Sequence, residues 1–151
     1  MFRNSDLFFM ANYAQTVNVI GAIKTTKTEA EMEATGLALA LYRQRFGTIP
    51  VGVEGVQGDL DVAAAWTEDR VALTVAVVNP TPEARTVKLD IRGAGPTGQG
   101  MRYVLTGADK WAHNAPGRPR AVEVTQTSLP GGSDQIDVPP LSVTLQVVRV
   151  R

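Results

Sequence analysis

Short segments of alternating apolar and polar residues, separated by turn formers, run from Pro50 to the end of the chain. In VKLDIR (87–92), for example, the first, third and fifth residues are apolar and those between them are polar. The other alternating segments are LDVAAAW (60–66), RVALTVAVV (70–78), AVEVT (121–125) and LSVTLQV (141–147). Because successive side chains of a strand point to opposite faces, alternation predicts strands with one buried and one solvated face. The pattern therefore predicts a mainly β fold, an antiparallel, jelly-roll-like β-sandwich over residues 48–151.

A helix is predicted over about 28–46, where the strand-like alternation is missing. Thr28 is followed three residues later by Glu31, which is the spacing of a capping box. Acidic residues fill the first turns and basic residues the last turn, an order that suits the helix dipole, and a glycine follows as a stop. Leu37 and Leu41 form the predicted buried stripe of this helix.

The segment LFFMANYA (7–14) is a continuous apolar run without alternation. Such a run suits a strand that is buried on both faces, as in a parallel sheet, although periodicity also allows a buried helix. A buried strand, a helix and then antiparallel strands indicate the last βα unit of a larger barrel joined to a sandwich. We therefore predict a terminal barrel segment over 1–47 and a sandwich domain over 48–151.

Composition narrows the classes of function. The 151 residues fit one domain, or one domain with an appendage, and 15 basic residues balance 15 acidic residues. This balance gives no reason to expect nucleic acid as a partner, and no apolar run reaches the roughly 18 residues of a membrane span. The chain has no cysteine, which excludes disulfides and thiolate metal sites. The start shows no signal peptide, so the compartment is undecided, with the cytoplasm slightly favoured.

The loop-rich stretch 105–122 holds the only histidine and one of the two tryptophans. His113 has no second histidine, cysteine or paired carboxylate near it in sequence, so metal or triad chemistry lacks partners. We expect His113 and Asn114 to hydrogen-bond local backbone in a long crossover between strands. The alternative is a carbohydrate contact through Trp111, whose aromatic face suits a sugar ring. The crossover interpretation is favoured, and neither a metal nor a cofactor is predicted.

Four segments, taken in order, resemble the C-terminal end of the α-L-arabinofuranosidases of glycoside hydrolase family 51. MANYAQTVNVIGAI resembles the part with the last barrel strand of that family, and LYRQRFG the end of its last barrel helix. VLTGADKWAHNAPGRP resembles a sandwich stretch, and VPPLSVTLQVV the terminal strand. The resemblance implies an (α/β)8 catalytic barrel followed by a β-sandwich, and retaining hydrolysis of arabinofuranosyl side chains on plant polysaccharides.

The same resemblance implies that the catalytic carboxylates lie elsewhere. In the family both reside on barrel strands upstream of the matched part, and the acid/base belongs to an Asn-Glu pair, which this sequence lacks. We therefore predict no catalytic residue here and no glycoside cleavage by this chain alone. Gln15 matches a glutamine that hydrogen-bonds arabinose in the family, a role that requires the barrel. For the isolated chain, a buried amide that satisfies backbone groups is the favoured interpretation of Gln15.

Two hypotheses of function follow. The first is an accessory C-terminal region of an α-L-arabinofuranosidase, and the alternative is a stand-alone carbohydrate-binding or protein-interaction β-sandwich. Because the N-terminal run is too apolar to remain in water, residues 1–46 are predicted to bind a partner, either further copies of the chain or a catalytic barrel. An arabinose-containing oligosaccharide is the predicted ligand. The fold of residues 1–27 without a barrel stays open.

Overall fold

The structure is a computed structural model that describes residues 2–56, 58–130 and 134–151. A short 3₁₀ turn (Phe2–Asn4) comes first, and an irregular segment follows it. The regular elements are β1 (Ile23–Thr25), β2 (Ala30–Met32), α1 (Ala34–Arg45), β3 (Ile49–Val51), β4 (Asp61–Trp66), β5 (Ala72–Asn79), β6 (Arg85–Lys88), β7 (Pro96–Gly107), β8 (Val122–Pro130), β9 (Gln135–Val138) and β10 (Ser142–Val150).

Most strands belong to one six-stranded sheet in the order β3-β4-β5-β10-β7-β8. The pairings within it are antiparallel, as are those of the small sheets β6-β9 and β1-β2. The β6-β9 pair packs on one face of the large sheet, and α1 packs against β8 and β10 on the other. The prediction of a mainly β, antiparallel sandwich preceded by a helical segment is confirmed.

Two apolar clusters hold these layers together. The first lies between the large sheet and β6-β9, and its buried members are Val62, Ala64, Leu73, Val75, Val77, Ile136 and Val138. The second lies between the large sheet and α1, and its buried members are Leu41, Tyr103, Leu105, Val122 and Leu145. The central strands β5 and β10 therefore contribute side chains to both layers.

The prediction that every strand has a solvated face is wrong for β5 and β10. Thr74 and Gln146, which the alternation assigned to a wet face, are fully buried because layers cover both sides of the sheet. Arg102 donates from Nε and Nη2 to the side-chain oxygen of Gln146 at 3.2 and 3.1 Å, and from Nη1 to the Asp137 carboxylate at 3.3 Å. This arginine thus ties β9 to the large sheet. In the segment 87–92, only the first two residues belong to a strand.

The predicted helix is shorter than expected. It begins at Ala34, because the preceding residues form the hairpin of β1 and β2, and its last residue is Arg45. The capping box predicted at Thr28 and Glu31 is therefore wrong, and Glu33 is the N-cap instead. A buried glutamate supplies the cap, while the hairpin ladder uses the backbone groups that the predicted first turn needed.

The apolar run 7–14 forms neither the predicted strand nor a buried helix. Its large side chains are exposed, with Phe9 at 101% and Leu7 at 77% of full accessibility. A parallel strand needs neighbours on both sides, and in the described residues the only bridge near this run is the isolated pair Val17 and Ile23. The domain boundary at residue 47 stays a prediction. Helix α1, which lies before that boundary, shares an apolar core with the large sheet.

The two tryptophans are expected to differ in their effect on stability. Trp66 is half-buried against the first cluster, and Trp111 is 75% exposed. Because a half-buried ring loses part of the contacts of a core tryptophan, Trp66→Ala should lower the free energy of unfolding by about 2 kcal/mol. Trp111→Ala should change it by less than about 0.5 kcal/mol. Denaturant melts measure both, and equal, small effects would contradict the packing of β4.

Candidate functional site

The crossover between β7 and β8 lies against the N-terminal end of α1, and Asn114 fixes it there. Asn114 is 1% exposed, and its Nδ2 donates to the carbonyl oxygens of Met32 at 3.1 Å and Val122 at 2.8 Å. Its Oδ1 accepts from the backbone N–H groups of Ala121 at 3.0 Å and Val122 at 2.9 Å. The amide is therefore satisfied on both sides and sets the start of β8.

The partner of Asn114 in the N-terminal segment is Glu33. One carboxylate oxygen, Oε1, accepts from the N–H of Ala34 at 2.7 Å and from the N–H of Asn114 at 3.1 Å. Glu33 is 9% exposed, and its own N–H donates to the Ala22 carbonyl at 2.9 Å. Negative charge at a helix N-terminus is favourable, and hydrogen bonds to a carboxylate are stronger than neutral ones. We call this contact the Glu33–Asn114 junction.

Two further contacts join the crossover to the residues before α1. Arg120 donates from Nε to Glu31 Oε1 at 3.0 Å, and its Nη2 is 3.0 Å from the same oxygen. Gly117 has a φ of 72°, and a Cβ at this position would lie 3.1 Å from the Glu29 carboxylate. The acidic residues expected in the first turns of the helix thus precede it, and three of them face the crossover.

The predicted local role of His113 and Asn114 is confirmed, but it is incomplete. His113 is exposed, and its Nδ1 lies 3.0 Å from the carbonyl oxygen of Trp111. Asn114 bonds the nearby Val122 and also Glu33, which is 81 positions away in sequence. No spacing in the sequence indicates that second partner. The stretch is a structural crossover that also fastens the N-terminal segment to the sandwich.

Trp111, the candidate sugar contact, stands on an ordered turn of this crossover. The backbone N–H of Trp111 donates to Asp109 Oδ1 at 2.7 Å, and the N–H of Ala112 donates to the Asp109 carbonyl at 3.2 Å. The Lys110 ammonium lies 5.0 Å from the centre of the indole ring, within the range of a cation–π contact. Much of the ring is nevertheless open to solvent, and its role in sugar binding stays a prediction.

Gln15, the candidate arabinose contact, is exposed, so its interpretation as a buried amide is wrong. Its backbone carbonyl oxygen accepts from the N–H of Ala22 at 3.3 Å, and the backbone carbonyl of Ala22 accepts from the N–H of Glu33. Hydrogen bonds therefore lead from Gln15 through Ala22 and Glu33 to Asn114. This series places the end of the apolar run in fixed relation to the crossover, although Gln15 and Trp111 belong to separate segments.

The other end of the N-terminal segment is fastened to β4. Arg3 donates from Nη2 to Asp61 Oδ1 and to the Val62 carbonyl, the latter at 2.9 Å. Close by, burial raises the pKa of Tyr42, the Asp61 charge adds to the rise and Arg3 opposes it. The phenol therefore stays neutral at ordinary pH.

In the part of the chain that the structure describes, neither a metal-binding group nor a membrane-spanning helix accompanies these contacts. Among the described residues, no group of three or more histidine, cysteine or acidic side chains is placed to hold a metal ion. Within the same ranges, no helix has the length and apolar character that crossing a membrane requires.

A cleft of about 1200 Å³ opens between β4, β5 and β6, and it is lined partly by first-cluster residues such as Trp66 and Leu73.

The family model of the α-L-arabinofuranosidase C-terminal domain matches residues 1–142. The chain belongs to this family. The matched range includes the apolar run, α1 and every strand up to the start of β10. The resemblance to the C-terminal end of family 51 arabinofuranosidases is thereby confirmed.

Solved structures agree with this assignment. The family 51 α-L-arabinofuranosidase of Thermotoga petrophila RKU-1 is 27% identical with a TM-score of 0.77, over 97% of this chain and 35% of that one. The Thermotoga maritima enzyme, solved as an arabinose complex, is 26% identical with a TM-score of 0.77, over the same shares. The Xanthomonas axonopodis pv. citri enzyme shares the fold at 20% identity and a TM-score of 0.76, over 98% and 33%. The chain thus spans about a third of these enzymes. A search of curated proteins finds no significant match.

The side-chain amide of Asn114 is expected to control the stability of this arabinofuranosidase C-terminal domain. Asn114→Ala leaves the buried N–H and carbonyl groups of Val122 without their side-chain partner and also removes the bonds to Met32 and Ala121, so it should lower the free energy of unfolding by about 3 kcal/mol. His113→Ala, the neighbouring control, should change it by less than about 0.5 kcal/mol because that side chain is exposed. Urea melts followed by far-UV circular dichroism measure both, and equal effects would contradict the role of Asn114.

Proposed function

We propose that this domain is the accessory C-terminal region of an α-L-arabinofuranosidase that acts on arabinose-substituted plant polysaccharides, and that it works only together with a catalytic barrel. The observation that carries the proposal is an exposed apolar surface fastened at both ends to the sandwich. We call it the N-terminal apolar surface, and its members are Leu7, Phe8, Phe9, Met10, Tyr13, Val17, Val19 and Ile20.

This surface is too large to remain in water without consequence. Burying a side chain of this size stabilises a protein by roughly 1.5–3 kcal/mol, and contiguous apolar patches mark surfaces that contact other proteins. Arg3 holds the segment to β4 at one end, and the backbone bonds through Ala22 to Glu33 hold it at the other. The sandwich therefore presents the apolar run in a defined place.

Helix α1 is a second support for a barrel. Leu41 is buried in the second cluster and Leu37 packs against it, so the helix already has a partner in its own sandwich. Leu39, two residues from each, lies on the other side of the helix and is 47% exposed. This arrangement suits a helix between a sandwich and a barrel. Residues 1–46 are predicted to bind a partner, and this packing limits the surface available for that contact to the apolar run and the Leu39 side of α1.

A barrel explains the apolar run better than a second copy of the chain. A strand that is apolar on both faces needs a parallel neighbour on each side and covering helices, and a closed barrel supplies both. In such a barrel Gln15 follows the last strand, at the end where barrel enzymes carry their active sites. Gln15 then hydrogen-bonds the arabinose of the substrate. Self-association through the N-terminal residues is the second outcome that the sequence predicts.

Retaining cleavage of a glycosidic bond needs two carboxylates about 5–5.5 Å apart, an acid/base and a nucleophile. Two carboxylates beside the crossover have structural roles instead. Glu33 caps α1, and Glu31 pairs with Arg120. We propose that the catalytic pair lies in the barrel, as the family resemblance implies. We therefore propose that the domain contributes the last βα unit and Gln15, while the barrel performs the chemistry.

The alternative function is a stand-alone sandwich that binds carbohydrate or protein. One observation favours it, the exposure of Trp111 on an ordered turn. Binding modules of this kind generally present several exposed aromatic side chains, and the described residues of this sandwich present one, Trp111. A sandwich that binds carbohydrate alone also leaves the N-terminal apolar surface without a role, so the accessory function is preferred.

We expect the isolated chain to release no product from a chromogenic arabinofuranoside. A hybrid enzyme in which it replaces the matched third of the Thermotoga petrophila enzyme should be active. Gln15→Ala in the hybrid should lower kcat/KM at least about tenfold, since a hydrogen bond worth about 1.4 kcal/mol in the transition state is lost. Gln126→Ala, which removes an exposed amide on the edge strand β8, is the control and should leave kcat/KM unchanged.

Two results would contradict the proposal. One is turnover by the isolated chain that co-purifies with it and persists in Gln15→Ala. The other is a hybrid that folds as a single cooperative unit and yet has no activity on the chromogenic substrate.

A further inference from the structure

We propose that the crossover carries a polysaccharide subsite in which Trp111 stacks on a sugar ring of the main chain that bears the arabinose. This inference rests on the proposed function, because it uses the position of the domain on a barrel. It goes beyond that function by assigning substrate contacts to the sandwich as well as to the barrel segment.

The position of the crossover supports the subsite. In a (β/α)8 barrel the loop after each strand leads to the N-terminus of the next helix, so helix N-termini lie on the face that carries the active site. The crossover binds at the N-terminal end of α1, through Asn114 to Glu33 and through Arg120 to Glu31. Trp111 is three residues from Asn114 and therefore stands beside the catalytic face, outside the last helix.

A fixed connection also relates Trp111 to the arabinose site. Gln15 is bonded to Ala22, Ala22 to Glu33 and Glu33 to Asn114, so the strand end and the crossover belong to one hydrogen-bonded framework. A substrate that places its arabinose at Gln15 extends its main chain outward from the barrel. In the proposed arrangement, the main chain passes the helix N-terminus and reaches the crossover.

The presentation of the ring suits ligand binding. The Asp109 carboxylate and the contact between His113 and the Trp111 carbonyl hold the turn, so a ligand meets an ordered backbone. Lys110 lies over the ring, yet three-quarters of the Trp111 surface stays accessible, which leaves a face open. Because these contacts hold the turn, its backbone loses little conformational freedom on binding.

The surroundings of Trp111 fit a sugar better than a protein. An aromatic face is electron-rich and attracts the partly positive C–H groups on one side of a sugar ring. The exposed neighbours Asp109, Lys110 and His113 offer partners for the hydroxyl groups at the ring edge. A protein contact of high affinity is instead built from a cluster of apolar residues, as the N-terminal apolar surface is. Trp111 is a single aromatic side chain among polar ones.

The first test measures binding to the 151-residue chain without any barrel. An arabinoxylan-derived oligosaccharide is titrated while intrinsic tryptophan fluorescence and amide chemical shifts are followed. We expect saturable binding with shifts confined to the crossover, an affinity loss of at least about tenfold in Trp111→Ala and partial retention in Trp111→Phe. Val71→Ala, which trims another exposed apolar side chain, is the control and should bind as the unaltered chain does.

The second test uses the hybrid enzyme and separates the subsite from the arabinose site. Trp111→Ala should raise KM for arabinoxylan oligosaccharides about tenfold and leave KM for the small chromogenic arabinofuranoside unchanged, because only the longer substrate reaches the crossover. Binding of the oligosaccharide by the chain with an inactive hybrid would overturn the proposed function and support the subsite. An active hybrid whose KM values do not respond to Trp111→Ala would overturn the subsite alone.

Two further results would also overturn the subsite. One is the absence of saturable oligosaccharide binding by the unaltered chain. The other is a change of molar mass in light scattering on Trp111→Ala with unchanged oligosaccharide binding, which would make Trp111 a protein contact.

Discussion

The buried carboxylate of Glu33 is the contact on which both parts of this domain depend. One oxygen accepts the first N–H of α1 and the N–H of Asn114, so the start of the helix and the position of the crossover are set by the same atom. A buried charge is tolerated only when its hydrogen bonds are made, and the helix terminus and the crossover supply them. Asn114 extends the contact to Val122 and thereby to the first residue of β8.

The packing of α1 on the sandwich follows from this junction. With its N-terminus fixed, α1 places Leu41 on Tyr103 and Leu145 and closes the second cluster. The opposite side of the helix and the apolar run before it then face away from the sandwich, which is where a barrel is proposed to pack. The segment that we propose to belong to the barrel is thus joined to the sandwich, and its apolar residues are exposed rather than buried.

The sequence predicted the parts of this fold that depend on local pattern. Period-two alternation indicated β4, β5, β8 and β10. It did not predict the burial of Thr74 and Gln146, because alternation reports one covered face and the second layer comes from distant segments. The helix start was misplaced since the spacing of Thr28 and Glu31 also occurs in a hairpin. Glu33 also accepts from Asn114, which is 81 positions away, and no local signal encodes that contact.

Native-state hydrogen exchange of the isolated chain is the most direct test of the junction. If Glu33 and Asn114 join α1 to the sandwich, the amides of Leu37 and Leu41 should open with the same free energy as those of Leu145 and Val147 in β10. The free energy of opening should fall for all four amides together in Asn114→Ala. Exchange of the α1 amides near the unprotected rate while β10 stays protected would contradict the account, since the helix would then be an independent appendage.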